Sequence, residues 1–144
     1  MAKPEAQTVV QGGRAKAYRP IPVAARAAAF EAALAAYDRG DFFLTHELLE
    51  PAWMGTDDLP ERELYQGLIK LAAAFVHGVR GNPRGIARNL EGARERLAAA
   101  DAAGRTEGLD LAELLAAVDD RLARLASDPD AASIEPPSLR RTTQ

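Results

Sequence analysis

What most constrains this chain is a hydrophobic repeat at spacings of three and four residues, which recurs between clear helix start and stop signals. Its strongest instance is Leu64, Leu68, Leu71, Phe75 and Val79, which share one side of a helix predicted from Pro60 to Arg80. An earlier helix is predicted from about Pro22, with Phe30, Leu34 and Tyr37 on one side, and stops at Gly40, which supplies a left-handed terminator. Asp41 then caps a second helix through Glu50, which Pro51 either ends or kinks because it lacks an amide donor and crowds the carbonyl of Glu47. Asn82-Pro83 opens a fourth helix, which buries Ile86, Leu90, Ala93 and Leu97 and ends near Gly104. Asp110, with Glu113 three residues on, opens a fifth that buries Leu114, Val118, Leu122 and Leu125.

No stretch alternates like a strand. The expected fold is therefore all-α: one compact bundle of about five helices over residues 21–126. Residues 1–20, with Gly12-Gly13 and Pro20, lack periodicity and read as a flexible N-terminal arm. Residues 127–144, with Glu135-Pro136-Pro137 and Arg140-Arg141, read as a flexible C-terminal tail.

At 144 residues and 47% apolar, the chain suffices for one sizeable core. A net charge of −3 argues against binding nucleic acid through the overall field. There is no cysteine, which excludes disulfides, thiolate ligands and a cysteine nucleophile. The N-terminus has no uninterrupted apolar segment of a secretory signal, and no run approaches the roughly 20 residues of a membrane span. The expectation is thus no membrane association, with the cytoplasm as default compartment.

Chemical groups concentrate in His46-Glu47-Leu48-Leu49-Glu50. Around a helix, His46 and Glu50 fall on an arc with Phe42, Phe43, Leu49 and Trp53 that is expected to face inward, and Glu47 sits at its edge. Gln66, Lys70 and His77 form a polar stripe on the third helix, beside the small residues Gly67, Ala74 and Gly78. If the second helix lies against that side, His46, Glu50, Gln66 and His77 share one polar site. Two readings stay open. The groups form a structural hydrogen-bond network that fixes helix register, or His46, Glu50 and His77 hold a divalent metal while Glu47 handles protons. The run misses the zincin pattern His-Glu-x-x-His at its fifth position, and it falls short of the ferritin-like ligand set. The only serines, Ser127, Ser133 and Ser138, lie in the tail, which leaves a Ser-His-Asp arrangement without a nucleophile. Separately, Arg80, Arg84 and Arg88 near the start of the fourth helix form a candidate site for a phosphate or carboxylate.

The segment from Gly40 through Glu50 with Trp53, then Gln66-Gly67-Leu68-Ile69-Lys70 with His77, then Gly81-Asn82-Pro83-Arg84-Gly85, resembles the bacterial and archaeal family called domain of unknown function 309. The resemblance runs from about Ala29 to Leu97. It implies a compact all-α domain with no assigned activity, and it supports treating His46, Glu47, Glu50, Gln66 and His77 as one set. Pro51 and Lys70 depart from the family pattern. Lys70, if it faces the site, would neutralise Glu50 and compete with a cation. Two functional readings result: a non-enzymatic helical module, self-associating as a homo-oligomer or binding a partner, and a metal-dependent enzyme of hydrolytic type.

Overall fold

The computed structural model describes residues 7–76, 82–128 and 134–142. Five helices carry the fold: α1 (Val23–Asp38), α2 (Phe42–Met54), α3 (Leu59–Val76), α4 (Pro83–Ala102) and α5 (Leu111–Ser127). They are preceded by two short strands, β1 (Gln7–Gln11) and β2 (Arg14–Tyr18).

The cap signals act as their chemistry requires. Asp41, Asn82 and Asp110 each accept a hydrogen bond from the amide three residues on, those of Leu44, Gly85 and Glu113. Gly40 and Gly104 follow α1 and α4 with φ of 83° and 74°, a conformation that side chains disfavour. Pro51 does not end α2. It deprives only the Glu47 carbonyl of a partner, and the burial of Ala52 and partial burial of Trp53 hold the last turn in place through Met54.

Consecutive helices run antiparallel. Phe42 meets Phe75 with ring centroids 5.8 Å apart while Arg62 lies over Trp53, so α2 and α3 pair head to tail. Glu63 reaches Arg96 and Lys70 lies against Gly92, giving the same sense to α3 and α4. Arg94 pairs with Asp119 between α4 and α5. The shared core comprises Phe30, Leu34 and Tyr37 of α1, Leu49 of α2, Leu64, Leu68 and Leu71 of α3, Leu90 and Leu97 of α4, and Leu114 and Val118 of α5. Ile86 and Leu122 pack only partly buried against it.

Both stretches without helical periodicity contain structure, and the expectation of no strand is corrected at the N-terminus. Residues 7–18 form an antiparallel hairpin in which Gln11 pairs with Arg14 across Gly12-Gly13. Both glycines have positive φ, 60° and 78°, as a tight two-residue hairpin turn demands. The chain then runs along the end of α2, with Arg19 and Ile21 amides bonded to the carbonyls of Met54 and Gly55.

At the other terminus, residues 134–142 lie on the bundle. Pro137 is buried and its carbonyl accepts from the Tyr37 hydroxyl at 2.6 Å. Arg121 donates to the Glu135 carbonyl at 2.7 Å, and Leu109 bridges Arg141 in antiparallel fashion. The C-terminal tail is therefore, over these residues, a strap across α1 and α5. Ile134, Pro137 and Leu139 supply the apolar groups that fasten it.

Candidate functional site

The acidic motif lies on the outer part of α2. The buried side of that helix is Thr45, Leu49 and Ala52, and Thr45 fastens it by donating to the carbonyls of Asp41 and Ala33. With about 100° between successive residues, His46 falls at the edge of this side, with Glu50, Phe43 and Glu47 progressively further out. The side chains of His46, Glu50 and Glu47 are accordingly 34%, 45% and 53% exposed. Phe43, expected among the inward residues, is 63% exposed.

Nδ1 of His46 stands 3.6 Å from a Glu47 oxygen and 3.7 Å from a Glu50 oxygen. One donor atom from each of the three residues falls within 4.8 Å of the others. Among the described residues neither carboxylate has an arginine or lysine partner. Elsewhere Asp58, Glu61, Glu63 and Glu135 are each answered by at least one arginine. The cluster therefore gathers two carboxylates and one imidazole nitrogen at a half-open surface.

Of its expected companions, the two that are described, Gln66 and Lys70, lie in other settings. Gln66 belongs to a separate network, described below. Lys70 lies along α4, so that a Cβ built on Gly92 would stand 2.8 Å from Lys70 Cδ, and among the described residues it forms no ion pair. His77 and Arg80 lie outside the described residues. Arg84 and Arg88 are exposed on the first turns of α4.

Two polar networks had no motif to announce them. In the first, Gln11 at the hairpin turn is only 3% exposed. Its carbonyl oxygen accepts from Trp53 Nε1 at 2.9 Å and Arg62 Nε at 3.2 Å; its amide nitrogen donates to Glu63 at 2.9 Å and Gln66 at 2.7 Å. Arg62 is fully buried, bonds the carbonyls of Trp53 and Thr56, and lies 5.1 Å above the Trp53 ring. Burial holds its guanidinium below the ordinary arginine range, opposed by the nearby Glu63 charge. Gly12-Gly13 flanked by Val9-Val10 and Ala15-Lys16-Ala17 was the available sequence signal for the hairpin that brings Gln11 in.

In the second, the buried Glu61 accepts from Arg26 at 2.6 Å and from the Tyr65 hydroxyl at 2.9 Å, with Arg105 at 3.7 Å. Burial, and next the bond to Glu61, hold the Tyr65 phenol well above its ordinary range. Arg62 and Glu61 are both among the buried residues of α3, although their charge alone suggests solvent.

Residues 30–89 match the family described as Domain of unknown function (DUF309), and the chain resembles that family over this segment. The matched stretch contains the acidic motif of α2 and the polar residues of α3. No curated protein and no solved structure matches the chain. No helix among the described residues is long and apolar enough to cross a membrane.

Proposed function

We propose that this chain is a helical domain that binds a divalent metal ion through His46, Glu47 and Glu50. The observation that carries the reading is the convergence of one donor atom from each residue within 4.8 Å. Two carboxylates beside one imidazole leave a local excess of negative charge, which a dication relieves more completely than the imidazole does. A nitrogen and two carboxylate oxygens suit zinc, manganese, iron or nickel, and three protein donors leave coordination positions for water or a ligand oxygen. Glu47 joins the donor set in this reading, as a third ligand. His46 and Glu50, four residues apart on one helix, need no tertiary rearrangement to act together.

The test uses tag-free protein. Metal content is measured as purified, and thermal unfolding is followed with added zinc, manganese and nickel, each with and without chelator. Near-stoichiometric binding that is lost in His46→Ala and in Glu50→Ala, and kept in the distant surface variant Glu91→Gln, supports the reading. Protein that holds no metal and whose melting none of the three ions shifts overturns it.

A further inference from the structure

The hydrogen bonds around Gln11 complement a primary carboxamide at every position. A carboxamide offers an acceptor oxygen and two N–H donors on one planar group. Trp53 and Arg62 present only donors toward its oxygen, while Glu63 and Gln66 present oxygen acceptors toward its nitrogen. Glu63 is held for this task by Arg96, at 3.2 and 3.3 Å to its two oxygens. Arg62 Nη2 is also buried and has no acceptor among the described residues.

The group filling this pocket belongs to an element otherwise loosely attached. Gln7, Thr8, Val10, Ala15 and Ala17 of the hairpin are exposed, and a two-stranded hairpin by itself is marginal in water. The pocket residues Trp53, Arg62, Glu63 and Gln66 fall inside the family-matched segment, and Gln11 falls outside it. Pocket and plug are thus separable parts of the chain.

We propose that Trp53, Arg62, Glu63 and Gln66 form a binding pocket for a primary carboxamide, occupied in this fold by Gln11, which closes it as a latch. The ligand class is a glutamine or asparagine side chain, or a small free amide, which enters when the hairpin lifts. A carboxylate of the same shape is disfavoured because both of its oxygens are acceptors, one of which would face Glu63.

Trp53 is the only tryptophan in the chain, so its emission reports this pocket directly. Gln11→Ala empties the pocket, and propionamide, which reproduces the lost side chain, is then titrated in. The expected result is a saturable return of Trp53 emission toward the wild-type spectrum, with propionate at least about tenfold weaker. Wild-type protein, its pocket filled, shows no saturable change at the same concentrations. L-Glutamine and N-acetylglutamine methylamide then separate a free amino acid from a residue within a chain; saturable binding of either supports the pocket. If Gln11→Ala keeps its helical circular dichroism but propionamide and propionate act alike, or neither acts, Gln11 is only a structural anchor and the proposal fails. Should Gln11→Ala not fold alone, recovery of its helical circular dichroism on adding propionamide but not propionate supports the pocket, and recovery with both or with neither overturns it.

Discussion

Gly67 of α3 lies directly against Leu97 of α4: a Cβ built on Gly67 would stand 2.7 Å from the Leu97 Cγ and 3.1 Å from its backbone nitrogen. Helix α3 carries no side chain there because α4 occupies the space. Gly67→Ala is expected to destabilise the domain by about 1–3 kcal/mol through overpacking, measured by denaturant unfolding. Gly92→Ala, in the same helix pair, meets only the flexible Lys70 stem. It should be neutral or stabilise by up to about 1 kcal/mol, since alanine favours a helix interior more than glycine does. Equal losses in the two variants would show that the α3–α4 spacing is not set at Gly67.

The phenols of Tyr37 and Tyr65 are both held above the ordinary tyrosine value of 10.0, in each case chiefly by burial. A raised folded-state value means that the folded protein keeps a proton the unfolded chain releases. Stability from these residues is complete below pH about 10 and is lost as pH rises from there toward the folded-state values. Unfolding followed in alkaline buffers should show a falling midpoint. In Tyr37→Phe and Tyr65→Phe that fall should be shallower, with tyrosinate absorbance reporting the titration. An unchanged slope in both variants would assign the alkaline loss to other groups.

Arg121 is the clearest anchor of the C-terminal strap, bonding the Glu135 carbonyl at 2.7 Å and the Ala117 carbonyl at 3.0 Å from a nearly buried position. Arg121→Ala should cost about 1–3 kcal/mol, because the variant loses charge-assisted bonds to two carbonyls. It should also admit proteolysis after residue 134 under conditions that leave the wild type intact. Wild-type resistance in the variant would mean that the remaining contacts, among them Tyr37 to Pro137 and Arg141 to Glu31, hold the strap without Arg121.

If His46, Glu47 and Glu50 hold a metal, Glu47→Gln should weaken it measurably while leaving unfolding of the metal-free protein within about 0.5 kcal/mol, as for an exposed position. Leu49→Ala, on the opposite and fully buried side of α2, should do the reverse: a loss of about 2–5 kcal/mol in stability, with the donor residues still present. Calorimetric titration with zinc beside denaturant unfolding separates the two effects. A stability loss in Glu47→Gln matching that of Leu49→Ala would place Glu47 among structural residues instead.

The helices were readable because their signals are local. Asp41, Asn82 and Asp110 announce starts, Gly40 and Gly104 announce stops, and the Leu64–Phe75 spacing identifies a buried face without reference to any partner. Phe43 is exposed for a related reason. A helical wheel orders residues around an axis, but the centre of burial comes from packing, and Thr45 and Ala52 moved it away from Phe43. The strap and the Gln11 plug depend on contacts between distant segments, and Pro136-Pro137 or a lone glutamine carries no local trace of them. Arg62 illustrates the limit. Its charge suggests solvent, yet Gln11 and the carbonyls of Trp53 and Thr56 supply acceptors for Nε and Nη1, and the Trp53 ring lies against the buried guanidinium.

The strap also has a consequence for the order in which the molecule is built. Each helix packs on its neighbour in sequence, so those pairings can form as successive segments leave the ribosome. The bonds from Tyr37 to Pro137 and from Arg141 to Glu31 join residues 100 and 110 positions apart, and they wait until residues 137–141 have emerged. Helix α1, synthesised first among the five, is therefore the last to have its outer side covered.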